Sequence, residues 1–327
     1  MIMRMMRTLA RAVLSFAVGM VLTVAPLRAQ DTVTVGTVGS PSANLWPVFI
    51  GLDKGFFAAE NVKIDVVYVP ASAAVVQQLA AGSLDMTMST GIVDPIRAID
   101  QGAAIALARF EVQAPPYALM AKSTIKSLKD LKGKVISVGG AKDITRIYAE
   151  RMLAPHGLKT GDYDFVYAGA TTARAQALLS GAVDAAILLP PSNFQIQAVG
   201  YNDLGLTVEY APELAFSGTA VNKAWAARNP DALKRVLAAQ SKSIEYLYDD
   251  GNRAEVVRIL VAVSRQKVED VEKSYDFFRK NNFFDRTGKI SRLKMNALVD
   301  ALISLGDLQT RGNIERFLLP GVAQLSD

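Results

Sequence analysis

Two stretches of this chain, about a hundred residues apart, follow one plan. Val62–Gly91 reads VKIDVVYVPASAAVVQQLAAGSLDMTMSTG, and Tyr163–Pro191 reads YDFVYAGATTARAQALLSGAVDAAILLPP. Val67-Tyr68 answers Val166-Tyr167, Leu79 answers Leu178, Gly82 answers Gly181 and Asp85 answers Asp184, each at a spacing of 99; upstream, Val38-Gly39 answers Val138-Gly139 at a spacing of 100. Each copy reads as a strand, a helix closed by glycine, and a second strand that begins near aspartate and runs into a small-residue turn. Two similar α/β units predict two similar lobes, and a cleft between lobes is a place where small molecules bind.

The N-terminus changes how the charge is read. Residues 1–30 have a basic start (Arg4, Arg7, Arg11), an apolar run from Ala12 to Ala25 and a short polar end. That is the layout of a cleaved secretory signal, with the cut expected after Ala29 or Gln30. The apolar run of 14 residues is shorter than the ~20 that a spanning helix needs. Without this segment the chain carries 32 basic and 31 acidic residues, a net +1, so its high isoelectric point gives no case for nucleic acid. Cysteine is absent, which removes disulfides, thiolate catalysis and thiolate-bound metal.

From Thr32 onward the pattern alternates strands and helices: strands near 32–40, 62–69, 85–89, 103–109, 117–121, 135–138 and 206–209, with helices between them. Gln113-Ala114-Pro115-Pro116 breaks the pattern and marks a first crossing between lobes, and Phe216–Val221 a return. Past Asn229-Pro230 the chain is almost wholly helical and is expected to wrap the first lobe. The expected organisation is residues 1–30 as signal, 31–116 with 219–327 as lobe 1, and 117–218 as lobe 2.

Ligands of open α/β sheets sit beyond the carboxyl ends of strands, against helix N-termini. Five such turns are rich in Gly, Ser, Thr or Pro: Gly39-Ser40 through Asn44 and Trp46, Ser89-Thr90-Gly91, Gly139-Gly140 through Asp143 and Thr145, Gly169 through Thr171 and Thr172, and Pro190-Pro191-Ser192. Each reads as a ligand turn or as an ordinary strand-to-helix turn; their recurrence in both halves favours the first. Trp46 and Phe110 either face a ligand or pack into the core. Arg109 and Glu111 are expected as solvated charges or an interlobe ion pair, and Asp143 as a helix cap. Asp85 and Asp184 fall at strand entrances, the wrong end for catalysis. His156, the single histidine, precedes Gly157 at a helix end. No metal-binding, nucleophile-elbow or phosphate-loop motif is present, so neither a cofactor nor a metal is expected, and the chain is read as a non-enzyme.

The segments PVFIGLDKGFFAAENVKIDVV, QQLAAGSLDMTMST, IKSLKDLKGKVISV, LLSGAVDAAILLPP and NPDALKRVLAA resemble periplasmic substrate-binding proteins of ABC importers, in the nitrate, alkanesulfonate, taurine and thiamine-pyrimidine-precursor group. The resemblance implies an α/β type II periplasmic binding protein fold, two lobes with a ligand cleft between them, closing on a small molecule for delivery to an ABC permease. By position it implies ligand contacts at Ser40, Asn44, Trp46, Ser89, Thr90 and Gly140 to Thr145. GGAKDITR departs from the Gly-Ser/Thr-rich turn common there and ILLPPS gives an apolar mouth, which favours an organic ligand, carboxylate or sulfonate included, over a small hydrated anion. A soluble periplasmic monomer follows. The rival readings are a receptor of a TRAP-type or tripartite carrier, and an enzyme like the fungal thiamine-pyrimidine synthases.

Overall fold

The computed structural model describes residues 29–39 and 42–327. Ser40 and nearly all of the expected signal segment lie outside the described residues. The alternating apolar residues of β1 (Asp31–Val38) bury Val33 and Val35. Helices α1 (Trp46–Asp53) and α2 (Phe56–Ala59) lead to β2 (Val62–Val69), which pairs in parallel with the whole of β1. Helix α3 (Ser72–Ala80) stops at Gly82, whose φ of +78° suits glycine, and β3 (Met86–Thr87) returns to the other side of β1. Then come β4 (Thr90–Gly91), α4 (Val93–Asp100) and β5 (Ile105–Val112).

The second sheet takes the chain from β6 (Ala118–Ala121) through β7 (Val135–Val138), α5 (Ile144–Leu153), β8 (Asp164–Tyr167), α6 (Thr171–Leu179), β9 (Ala185–Leu188) and α7 (Ser192–Ala198) to β10 (Asn202–Leu206). The return strand β11 (Ser217–Asn222) is followed by α8 (Lys223–Arg228), α9 (Pro230–Tyr248), α10 (Arg253–Ser264), α11 (Val268–Lys280), β12 (Ile290–Ser291), α12 (Arg292–Ser304) and β13 (Leu325–Ser326). Helix α9 starts where the Asn229-Pro230 signal puts it.

The sheet orders are β2-β1-β3-β11-β4, with β5 on β11, and β10-β6-β9-β7-β8. The echo is therefore three-dimensional: β2-β1-β3 and β8-β7-β9 are parallel trios of the same order. Its aspartates do the same work in each. Asp85 Oδ2 accepts from Thr34 N at 2.8 Å and Asp184 Oδ2 from Val135 N at 3.0 Å. Each trio is then flanked by an antiparallel strand, β11 beside β3 and β6 beside β9.

Three expectations shift. The strand placed at 206–209 is β10 at Asn202–Leu206, followed by a 3₁₀ turn at Thr207–Glu209. Strand β5 runs past Arg109 to Val112, so Phe110 is inside a strand and fully buried. Arg109 and Glu111 are 3% and 2% exposed, neither solvated nor paired across the lobes. The reason is the C-terminal region: Asp285 N donates to Glu111 O at 2.8 Å and Gln113 N to Phe283 O at 3.0 Å, covering β5. Burial pulls the Arg109 guanidinium below its usual range, opposed by Glu111 and Asp285. The helical tail packs on the first lobe through α9 and α10 against α1 and α12 against α4, and α11 also meets α7 of the second. No helix among the described residues is long and apolar enough to cross a membrane.

Candidate functional site

A cavity of about 410 Å³ lies where the carboxyl ends of both parallel trios meet. The lobes touch here: a Cβ on Gly39 would lie 3.0 Å from Ala170 Cβ, and one on Gly169 3.0 Å from the Pro70 carbonyl oxygen. Both glycines have positive φ, +75° and +65°, so two turns that need glycine for conformation also use its lack of a side chain to approach.

The first lobe supplies Ser42, Asn44, Ser72 and Ser89 to the wall. Asn44 and Ser89 grip each other. Asn44 Nδ2 donates to Ser89 O at 2.8 Å, and Ser89 Oγ to Asn44 O at 2.6 Å. Ser89 has the left-handed φ of +50°, a strained conformation for serine, and a buried carboxylate holds it there. Glu111 Oε2 accepts from Ser89 N at 2.6 Å and Oε1 from Thr219 Oγ1, both charge-assisted bonds.

The second lobe supplies Asp143, Thr171, Thr172, Arg174, Leu189 and the cis-linked Pro190-Pro191. Asp143 caps α5: its Oδ1 accepts from Thr145 N at 2.9 Å and from Thr145 Oγ1 at 2.5 Å, while that hydroxyl accepts from Gly139 N at 2.8 Å. Arg174, 3% exposed, braces the neighbouring turn. It donates to Ile187 O at 2.7 Å, to Gly169 O, and to Thr171 Oγ1 at 2.9 Å, and its guanidinium sits 5.8 Å from the Tyr117 ring centre. Burial pushes the Tyr117 hydroxyl above the usual tyrosine range, Arg174 opposing.

Of the sequence candidates, Asn44, Ser89, Asp143, Thr171 and Pro191 line the cavity together. Others stand behind its wall. Trp46 is 2% exposed and packs on Phe278, ring centres 5.7 Å apart. Phe110 is in the core, Thr90 is buried, Thr145 is occupied by the α5 cap, and Gly140 O accepts the Asp143 backbone N–H at 3.1 Å. His156 lies off the cavity, 3.4 Å from the Tyr210 hydroxyl.

Sequence reasoning missed Ser72, Tyr117, Arg174, Phe216 and Val263–Gln266. Two were within reach. At the spacing of 99, Ser72 answers Thr171 and Val75 answers Arg174, so the echo already set a hydroxyl at both helix starts and a lone arginine against a valine. The segment 263–266 carries no local signal; tertiary packing brings it there. Among the described residues, no group of three or more His, Cys, Asp or Glu side chains is placed to hold a metal.

A model of the NMT1/THI5-like family matches residues 42–254. The chain belongs to the NMT1/THI5-like family. Solved structures similar to this family member include the alkanesulfonate-binding protein SsuA from Xanthomonas axonopodis pv. citri bound to MOPS, at 19% identity and TM-score 0.72 over 90% of this chain and 98% of that one. The periplasmic nitrate-binding protein NrtA from Synechocystis PCC 6803 aligns at 16% identity and TM-score 0.69, covering 87% and 84%. The desulfurization enzyme DSZB aligns at 15% identity and TM-score 0.65, covering 89% and 97%. No curated protein sequence matches the chain. At these identities the likeness is one of fold: two α/β lobes of the type II periplasmic binding protein kind.

Proposed function

We propose that the protein is a solute-binding protein that captures a small organic molecule in this cleft and delivers it to the permease of an ABC importer, from the periplasm and as a monomer. The observation that carries the reading is the cavity itself, enclosed by matching turns from two lobes that are joined by two crossings, the arrangement that hinge closure requires. The solute-binding proteins of the same fold and the signal-like residues 1–30 support it.

The lining favours an organic ligand over a small hydrated ion. Hydroxyls of Ser42, Ser72, Ser89 and Thr171 share the cavity with Leu189, Pro190, Pro191 and Phe216, a mixed surface that fits an apolar body carrying one polar group. Asn44, Ser89, Asp143, Thr171 and Pro191 are its proposed contacts, with Trp46, Thr90, Phe110, Gly140 and Thr145 supporting them from behind. The likeness to DSZB raises an enzyme reading. Neither histidine nor cysteine lines the cavity, and Asp143 is engaged in a helix cap, which supports capture without chemistry.

The test is a thermal-shift screen of the purified protein, refolded to strip bound solute, against alkanesulfonates, aliphatic and aromatic carboxylates, pyrimidines, amino acids and nitrate. A true ligand at a hundred times its Kd adds about 2.7 kcal/mol. A shift confined to one organic class supports the reading, and slow consumption of that compound would replace it with an enzyme. A response to nitrate alone would overturn the organic ligand.

A further inference from the structure

The wall formed by Val263–Gln266 belongs to neither lobe's strand-end turns. This segment joins α10, which packs on α1 of the first lobe, to α11, and it is fastened to the second lobe. Gln195 Nε2 on α7 donates to Gln266 Oε1 at 2.5 Å and to Asp270 Oδ2 at 3.1 Å, and the Phe194 and Phe277 rings meet edge-on with centres 5.9 Å apart. The tail thus runs across the mouth between the lobes.

Arg265 sits at the centre of that strap. It ends α10 with φ +55° and ψ +27°, in the left-handed region, where a helix normally stops on glycine because any Cβ is strained. An arginine kept in such a position on a cavity wall is the kind of outlier from which a functional role is argued. Three charged residues line the cavity: Asp143, Arg174 and the solvent-exposed Arg265. None belongs to an ion pair among the described residues. Asp143 is committed to the α5 cap and Arg174 to two carbonyls and a hydroxyl. The exposed guanidinium of Arg265 makes no hydrogen bond to another described residue and is open to a ligand, and the lining carries one net formal positive charge.

We propose that Val263–Gln266 is a third wall of the ligand cleft and that Arg265 selects for an anionic group on the ligand. This rests on the solute-binding reading above and adds to it the ligand's charge and the residue that reads it. The acid group is recognised from the C-terminal strap, so that the lobes themselves hold mainly the ligand's body.

Hexanesulfonate, hexanoate and hexanamide separate charge from shape, and calorimetric titration into wild type, Arg265→Gln, Arg265→Lys and Arg265→Gly measures each. Wild type is expected to prefer the two acids over the amide by about tenfold or more. Arg265→Gln and Arg265→Gly should lose most of that preference, through a larger loss of affinity for the acids than for hexanamide, and Arg265→Lys should keep part of it. The glycine variant also guards against misfolding, since its backbone is eased there. Preference retained in Arg265→Gln overturns the inference and leaves solute capture standing. Equal binding of acid and amide by wild type, or a thermal shift confined to uncharged solutes, overturns anion selection alone, and silence of folded wild type towards the three probes and the whole thermal-shift panel counts against both.

Discussion

The two lobes share a backbone plan and brace the turns that line the cavity with opposite charges. In the first, the buried Glu111 carboxylate holds Ser89 and Thr219; in the second, the buried Arg174 guanidinium holds Gly169, Thr171 and Ile187. Arg174 stands where the first copy has Val75, and both positions are buried. The repeat conserves what makes the fold, namely glycine stops and strand-entrance aspartates. What shapes the cleft lies where the copies differ.

Removing the first brace should have the largest effect. Glu111→Leu leaves the Ser89 N–H and the Thr219 hydroxyl unpaired and deprives the buried Arg109 of a nearby counter-charge. A loss of about 3–5 kcal/mol is expected by denaturant unfolding. A loss under about 1 kcal/mol would show that this carboxylate is no brace.

Arg174→Val makes the second copy resemble the first. It frees two carbonyls and the Thr171 hydroxyl, but it also relieves the burial of a cation, so the expected loss is smaller, about 2 kcal/mol by the same measurement. If it exceeds that of Glu111→Leu, the order of the two braces is reversed.

The strand-entrance aspartates should differ least. Asp85→Ala and Asp184→Ala each remove one bond to a backbone N–H, about 1 kcal/mol. Asp184 also pairs with Lys122 at 2.8 Å, a half-exposed bridge that adds at most about 1 kcal/mol. Burial works to raise the Asp184 carboxyl, but Lys122 and the Val135 amide outweigh it and hold it below the usual carboxylate range. A lowered folded value means stability that is present above about pH 4 and is lost as the pH falls through that value. The gap between wild type and Asp184→Ala should therefore close on acidification. A gap that widens below pH 4 would contradict this sign.

How much the sequence disclosed follows from the range of the interactions. The echo, the glycine stops, the cap at Asp143 and the start of α9 are local, and each was legible. Arg109 and Glu111 read as exposed charges because their cover comes from Phe283–Asp285, more than 170 residues away in the chain. Phe110 falls just past the strand expected near 103–109 for the same reason: charged residues on a strand buried on both faces look like a terminus. Arg265 was invisible because nothing near it distinguishes a helix end on the surface from one on a cleft.

The strand β11 sits inside the first sheet, between β3 and β5, yet it follows the whole second sheet in the chain. During synthesis the first lobe therefore lacks an interior strand until Ser217–Asn222 has been made, and any shorter nascent chain presents open strand edges. On the proposed export route that delay has a use, because a chain that cannot complete its first lobe from its first two hundred residues has less folded structure to undo at a secretion channel.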